Sequence, residues 1–370
     1  MGVGEVWRRV KPYVAMVFLQ FGYAGMFVVS VASLKQGMSH YVLVVYRNAV
    51  AAAVVAPFAL WFERKVRPKM TLPIFLEIMA LGLLEPVLDQ NFYYMGTKYT
   101  SASFSSALYN ILPAVTFLNA FVLRMEKIDI KKRHSQAKII GTLVTVIGAL
   151  IMILYKGPIV EFIWNKGRHL QAEAAAQNDT HWLLGTLMLL FSCCCWSAFF
   201  VLQSHTLKSY PAELSLTTLI CLTGTGQAGA VALFMERGAK PWSIGFDMRL
   251  FTAVYSGIMC TGVAYYLQGV VMKERGPVFV TAFNPLCMII VAVMGSIILA
   301  EEISLGRVIG AVVIVIGLYC LIWGKSSDRM NTSTENSEKT KAVDDVMISN
   351  SIDYVTVVDI PPEKKPDGIN

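Results

Sequence analysis

The chain has 370 residues, 55% hydrophobic and only 15% charged, with a mean hydropathy of +0.54 and a net charge of +7. A soluble domain of this length would carry more charge and break its apolar runs more often, so that class is excluded. The basic residues are divided among many loops rather than gathered on one patch, which excludes a nucleic-acid binder.

A bilayer-spanning helix needs roughly 20 mostly apolar residues. Ten stretches come close to or exceed that length: 13–34, 41–62, 72–94, 102–123, 137–155, 182–203, 214–234, 249–272, 278–299 and 305–323. Backbone groups in lipid must be satisfied internally, so these read as helices. The expected fold is an all-α multi-pass membrane protein with ten transmembrane helices. A tail at 1–12 precedes the first span, which is too long for a signal h-region and is expected to be retained. Residues 156–181 form a linker loop carrying a formal glycosylation sequon at Asn178-Asp179-Thr180. Residues 324–370, rich in Ser, Thr, Asp, Glu and Lys, read as a disordered tail.

Taken in order, the spans are unequal in polarity. The second holds Arg47-Asn48 about a third of the way in. Arg47 can reach back to the interface, form a buried ion pair or contact a ligand. The third holds Glu85-Pro86 and then Asp89-Gln90-Asn91. Glu85 and Asp89 share one helical face, and Pro86 removes a backbone hydrogen bond beside them. Glu85 is the better cavity candidate. Asp89 lies nearer the outer end and is read, with Arg47, as a structural polar or ion-pair group. The fourth and ninth spans carry Asn110 and Asn284 near Pro113 and Pro285; these amides either flank a central site or join helices. The sixth offers Trp196 and Gln203, and the eighth Thr261, Tyr265 and Gln268. The expected substrate-binding residues are Glu85, Asn110, Gln203, Tyr265, Gln268 and Asn284. Amides, phenols and one or two carboxylates in an apolar interior suit a small zwitterion or amphipathic organic acid better than a phosphate ester.

The last five spans repeat the first five. Glu126-Lys127-Ile128 is answered by Glu301-Glu302-Ile303, and Gly141 and Gly148 by Gly310 and Gly317. Phe18, Phe27, Val28, Leu34 and Lys35 match Phe191, Phe200, Val201, Leu207 and Lys208 at an offset of 173. Five is odd, so two such units in one membrane point opposite ways. Inverted repeats around a central site are a transporter signature. The units are 13–155 and 182–323. Their glycine pairs read as packing seams between repeats or between protomers, so a homodimer is one expectation. With the N-tail inside, 16 Lys and Arg fall in inner segments and 7 in outer loops, which puts both termini in the cytoplasm.

Several chemical motifs fail. Gly224-Thr225-Gly226-Gln227-Ala228-Gly229 is a literal G-x-G-x-x-G, but it lies in an apolar helix with no preceding strand. Close helix approach explains it better. There is no Walker P-loop and no H-E-x-x-H. All seven cysteines lie in spans and read as small buried residues rather than disulfides or metal ligands. No cofactor, metal or enzymatic activity is expected; the partners are a small-molecule substrate and membrane lipid.

The strings Val45-Tyr-Arg-Asn48, Glu63-Arg-Lys65, Arg67-Pro-Lys-Met-Thr71, Asp89-Gln-Asn-Phe-Tyr-Tyr94, Lys98-Tyr-Thr-Ser-Ala102 and Arg275-Gly-Pro-Val-Phe-Val-Thr-Ala-Phe-Asn-Pro-Leu286 complete the picture. The chain resembles the EamA branch of the drug/metabolite transporter superfamily. Within it, the chain looks like the plant nodulin-like, walls-are-thin-related proteins, which include amino-acid facilitators. The resemblance covers roughly residues 5–325. It implies export or bidirectional facilitation of amino acids by alternating access, with auxin or another small aromatic or organic acid as the alternative substrate. The expected location is the plasma membrane rather than the vacuolar membrane. From a different class, a non-transporting receptor or scaffold is the competing reading, though a scaffold has no need of polar groups at the membrane midplane.

Overall fold

A computed structural model describes residues 3–35, 37–100, 105, 108–123, 132–155, 157–160, 179–238, 240–298, 303–306, 308–324 and 327. The sequon Asn178 and nearly all of the expected C-terminal tail lie outside the described residues. Helix α1 runs Val3–Lys35 with Pro12 inside it. Within the segment expected as the N-terminal tail, residues 1–12, the chain is helical from Val3. Its Glu, Arg and Lys are good helix formers, and the added turns leave Val6, Trp7 and Val10 exposed.

Helix α2 spans His40–Phe62. The third rod comprises α3 (Leu72–Gly82), a π-helical turn Leu83–Asp89 and α4 (Gln90–Tyr99). A 3-10 turn Tyr109–Ile111 leads into α5 (Leu112–Val122), and α6 spans Arg133–Leu154. In the second half come α7 (Asp179–Ser209) and α8 (Glu213–Met235). Then follow α9 (Met248–Tyr255), a second π turn Ser256–Val263 and α10 (Ala264–Arg275). Helices α11 (Pro277–Thr281), α12 (Asn284–Ile298) and α13 (Val308–Gly324) complete the bundle. A two-residue antiparallel pair, β1 (Ile159–Val160) with β2 (Ile303–Ser304), joins segments far apart in sequence.

Among the described residues four helices are long and apolar enough to cross a bilayer: His40–Phe62, His181–Ser209, Glu213–Met235 and Met248–Arg275. Many large apolar side chains face outward, among them Trp61, Phe62, Val122, Leu233, Phe234 and Tyr319. Such an apolar exterior would be a liability in water and is what lipid requires.

The two π turns begin 173 residues apart, the same offset that relates Phe18 to Phe191. At the first, Pro86 has no N–H to donate, so the regular ladder cannot close and the turn widens. The second contains no proline. There, Gly257 lies so close to α2 that a Cβ would sit 2.6 Å from the Arg47 carbonyl oxygen. The first turn meets α8 in the mirror arrangement: a Cβ on Gly224 would lie 2.8 Å from Pro86. Of the G-x-G-x-x-G glycines, Gly224 therefore serves close approach, whereas Gly226 and Gly229 face open space.

Helices α2 and α8 are antiparallel and fastened at both ends. At one end Ser39 Oγ donates to Glu236 Oε1 at 2.7 Å. At the other the Glu63 carboxylate accepts the N–H groups of Leu214 and Ser215, at 2.9 and 2.7 Å. Beside it Arg67 Nε donates to Ser215 Oγ at 3.1 Å, and Lys273 pairs with Glu213. Glu63 supplies the cap that no residue of α8 provides, and its charge faces the positive end of that helix. Replacing Glu63 with Ala is expected to lower stability by about 1–2 kcal/mol, read as a fall in melting temperature in detergent. An unchanged melting temperature would show the cap to be energetically idle. At the Ser39 end, in the loop before α9, Asp247 accepts from the backbone and side chain of Arg249. The side-chain bond holds its carboxyl below the usual carboxylate range.

Candidate central cavity

A cavity of about 210 Å³ lies among α1, α2, the first π turn, α4, the 3-10 turn before α5, α7 and α12. It sits toward the Ser39 end, reaching Ser30 of α1, Thr97 of α4 and Val291 of α12. The Glu63 end is closed by packed aromatics. Tyr13 meets Phe279 edge-on at 5.2 Å and Phe283 at 6.1 Å. The Arg275 guanidinium lies 5.7 Å from the ring centroids of both Tyr13 and Phe279, a cation–π contact on each.

Arg47 is the hub of the polar wall. It is 5% exposed. Its Nε donates to Thr261 Oγ1 at 2.5 Å and a terminal nitrogen donates to Gln90 Oε1 at 3.0 Å. The other terminal nitrogen pairs with Glu85 at 3.3 Å. Glu85 also accepts from Gln90 Nε2 at 2.8 Å and from the Tyr265 hydroxyl. One arginine on α2 thereby joins the two π turns, the first through Glu85 and the second through Thr261. A buried charge is tolerable only when paired and hydrogen-bonded, and both partners here are.

Asp89 stands differently. Its Oδ1 accepts from Tyr109 OH at 2.7 Å and from Ser192 Oγ at 2.6 Å. Both donors are neutral hydroxyls. Among the described residues Arg47 pairs with Glu85, whereas Asp89, expected as a structural polar or ion-pair group, is held by the two hydroxyls. The reason is position: Glu85, not Asp89, meets Arg47 where the first π turn faces α2.

Of the residues expected at the site, Glu85, Asn110 and Asn284 line the cavity, together with Arg47 and Asp89. The ninth rod is broken at Ala282-Phe283, directly before Asn284. The fourth passes through the 3-10 turn containing Asn110. Asn110 Nδ2 also donates to the Met288 sulfur on α12, so it joins helices as well as lining the space. Gln268, Tyr265 and Gln203 stand behind the wall. Gln268 Nε2 donates to Tyr23 OH at 2.8 Å, Tyr265 to Glu85, and Gln203 Nε2 to the Tyr265 carbonyl at 3.3 Å. Gln268 and Tyr265 bond to groups that line the cavity and Gln203 to Tyr265, and none of the three lines it.

Sequence reasoning passed over Gln20, Tyr23, Gln90 and Tyr109 as cavity residues. Gln20 and Tyr23 fall in a span scored as plainly apolar, although a glutamine within Val17-Phe18-Leu19-Gln20 is itself a signal. Among the described residues Arg47 is the only cation on the cavity wall, and its charge is already matched by Glu85. The volume lies below the roughly 300–1,000 Å³ of most drug-sized pockets.

The model of the EamA-like transporter family matches the chain twice, at residues 10–154 and 183–323. A WAT1-related protein of Arabidopsis thaliana is 56% identical over 349 residues, covering 92% of this chain and 90% of the relative. A second from the same plant is 52% identical over 372 residues and 97% of both chains. A third is 54% identical over 353 residues, with 92% and 88% covered. One crystal structure superposes with a TM-score of 0.60 over 84% of this chain and 98% of the other at 15% identity, a likeness of fold.

Proposed function

The chain belongs to the EamA-like transporter family, as a relative of the plant WAT1-related proteins and an integral membrane protein, and on that premise we propose that it moves amino acids across the membrane by alternating access. The observation that carries the reading is Asp89, a buried carboxyl on the wall of a small cavity whose arginine is already paired. Such a cavity has an acceptor for an ammonium group and, among the described residues, no free cation for a phosphate or a second carboxylate. Export and bidirectional facilitation both fit this wall. The alternative cargo is auxin or another small aromatic acid, favoured by Tyr93, Tyr109 and Trp196 around the space.

In this reading the ten rods are ten membrane spans in two inverted five-helix repeats, 13–155 and 182–323. The matched π turns and the matched breaks at Asn110 and Asn284 support it, since inverted repeats place discontinuous helices around one midplane site. Both termini face the cytoplasm, by the distribution of Lys and Arg. The Ser39 end is then the outer end, and the arrangement described is open outward and closed inward. The plasma membrane is the proposed location. No enzymatic step is required, since binding and release suffice.

The test is flux in vesicles. Asp89→Asn keeps both hydroxyl contacts but removes the charge, and is expected to raise KM for amino acids about tenfold or more, worth about 1.4 kcal/mol. Asn110→Ala and Asn284→Ala are each expected to weaken transport with surface abundance near normal. Unchanged KM in Asp89→Asn would remove the ammonium from that carboxyl. Loss of folded protein in both asparagine variants would assign them to helix packing.

A further inference from the structure

Gln20 is 1% exposed, lies in the middle of α1 and lines the cavity. Neither Oε1 nor Nε2 of its amide has a hydrogen-bond partner in the protein. Its situation is unlike that of the other buried glutamines. Gln90 is engaged through both amide atoms, and Gln203 and Gln268 each donate through Nε2. Among the described residues Gln20 alone is a buried glutamine with both atoms idle. An unpaired amide in an apolar interior is destabilising, and native interiors avoid it unless the group is used.

Its place in the fold indicates the use. Of the cavity-lining residues on α1, Gln20 is the one closest to Tyr13 in the chain. Met16 and Leu19, between them, are fully buried in the same cluster as Phe279 and Phe283. Seven residues of helix separate Gln20 from Tyr13, a rise of about 10 Å. Gln20 therefore forms the floor of the cavity, directly above the aromatic closure.

We propose that Gln20 is a substrate-contacting residue at the cavity floor, where its amide takes the head group of a zwitterion. Nε2 donates to the substrate carboxylate and Oε1 accepts an N–H of its ammonium. A carboxamide is a donor and an acceptor side by side, which complements the α-amino and α-carboxyl groups of an amino acid. This inference rests on the amino-acid reading above and deepens it. An occupied floor also places the substrate against α1 about two turns from Tyr13, which closes the opposite end.

The experiment uses the full chain with Gln20→Met, which keeps the length and removes the amide. Thermal unfolding is followed in detergent without substrate, and flux of L-alanine, L-glutamine and indole-3-acetate is followed in liposomes. The expected result is a melting temperature raised by about 2–4 °C together with a KM for the amino acids raised about tenfold. Gln20→Ala guards against misfitting of the longer side chain and should show the same rise in KM. Wild-type KM in both variants overturns the proposal. So does a melting temperature in Gln20→Met at or below that of the wild type, because the amide would then be satisfied within the protein. If the wild type moves none of the probes, the amino-acid reading falls separately. The melting temperature of Gln20→Met still decides: a rise supports an amide held unpaired for another ligand, and no rise overturns it.

Discussion

Glu85→Ala is expected to destabilise the protein by about 3–5 kcal/mol, the usual penalty for leaving one member of a buried ion pair alone. Arg47 would keep only neutral partners: Thr261, Gln90 and the Met26 sulfur. Tyr265 and Gln90 Nε2 would lose their acceptor as well. The effect spreads because Arg47 links both π turns to α2. Removing both charges, as Arg47→Met with Glu85→Leu, is expected to recover most of the loss, since a buried pair is often replaced by apolar groups at little net cost. Thermal unfolding of the single and double variants in detergent reads this directly. A single variant melting within a degree of wild type would mean that Arg47 finds another counter-charge or reaches water.

Gly141→Leu and Gly317→Leu are expected to be nearly as severe. Helices α6 and α13 cross at a seam where a Cβ on Gly141 would lie 2.5 Å from Leu321 N and 2.7 Å from Gly317 O. A Cβ on Gly317 would lie 2.6 Å from Thr145 N, and one on Gly148 3.0 Å from Gly310 O. These neighbours are backbone atoms, so only separation of the helices makes room. Overpacking costs about 1–3 kcal/mol when side chains can yield and more when they cannot. The expected outcome is loss of the monodisperse folded peak in size-exclusion chromatography. Gly226→Ala is the control: nothing lies within 4 Å of its Cβ position, and removing a mid-helix glycine should be neutral or stabilising by up to about 1 kcal/mol. A normal peak for both leucine variants would place the seam elsewhere.

These sites show how much the chain discloses by itself. The helical rods were legible because lipid demands long apolar runs, and the breaks beside Asn110 and Asn284 were signalled by Pro113 and Pro285. The polarity of the third span was also plain. Pairing was not. Nothing local distinguishes Glu85 from Asp89 as the partner of Arg47, because the choice depends on where the first π turn faces α2. Pro86 foretold a disturbed helix but not its π form, and the second π turn has no proline to announce it. Gln268 and Tyr265 are polar for the sake of Tyr23 and Glu85, a relation visible only when α1 and the first π turn pack against α10. The glycine seam was readable as a seam, yet only the structure shows both sides belonging to one chain, where α6 meets α13. Hydropathy bounds the first apolar run at residue 13, whereas α1 is helical from Val3, because a charged first turn carries no apolar signal.

On the reading proposed above, this cavity carries a small solute between two faces of a membrane. The most direct measurement is counterflow in liposomes holding the purified chain, preloaded with unlabelled amino acids and exposed to trace labelled L-alanine or L-glutamine. Transient accumulation of label that saturates with external amino acid, and that is reduced about tenfold or more by Asp89→Asn at low substrate concentration, is the predicted result. Label entering no faster than into protein-free liposomes, for amino acids and for indole-3-acetate alike, with the protein shown to be folded and inserted, would contradict it.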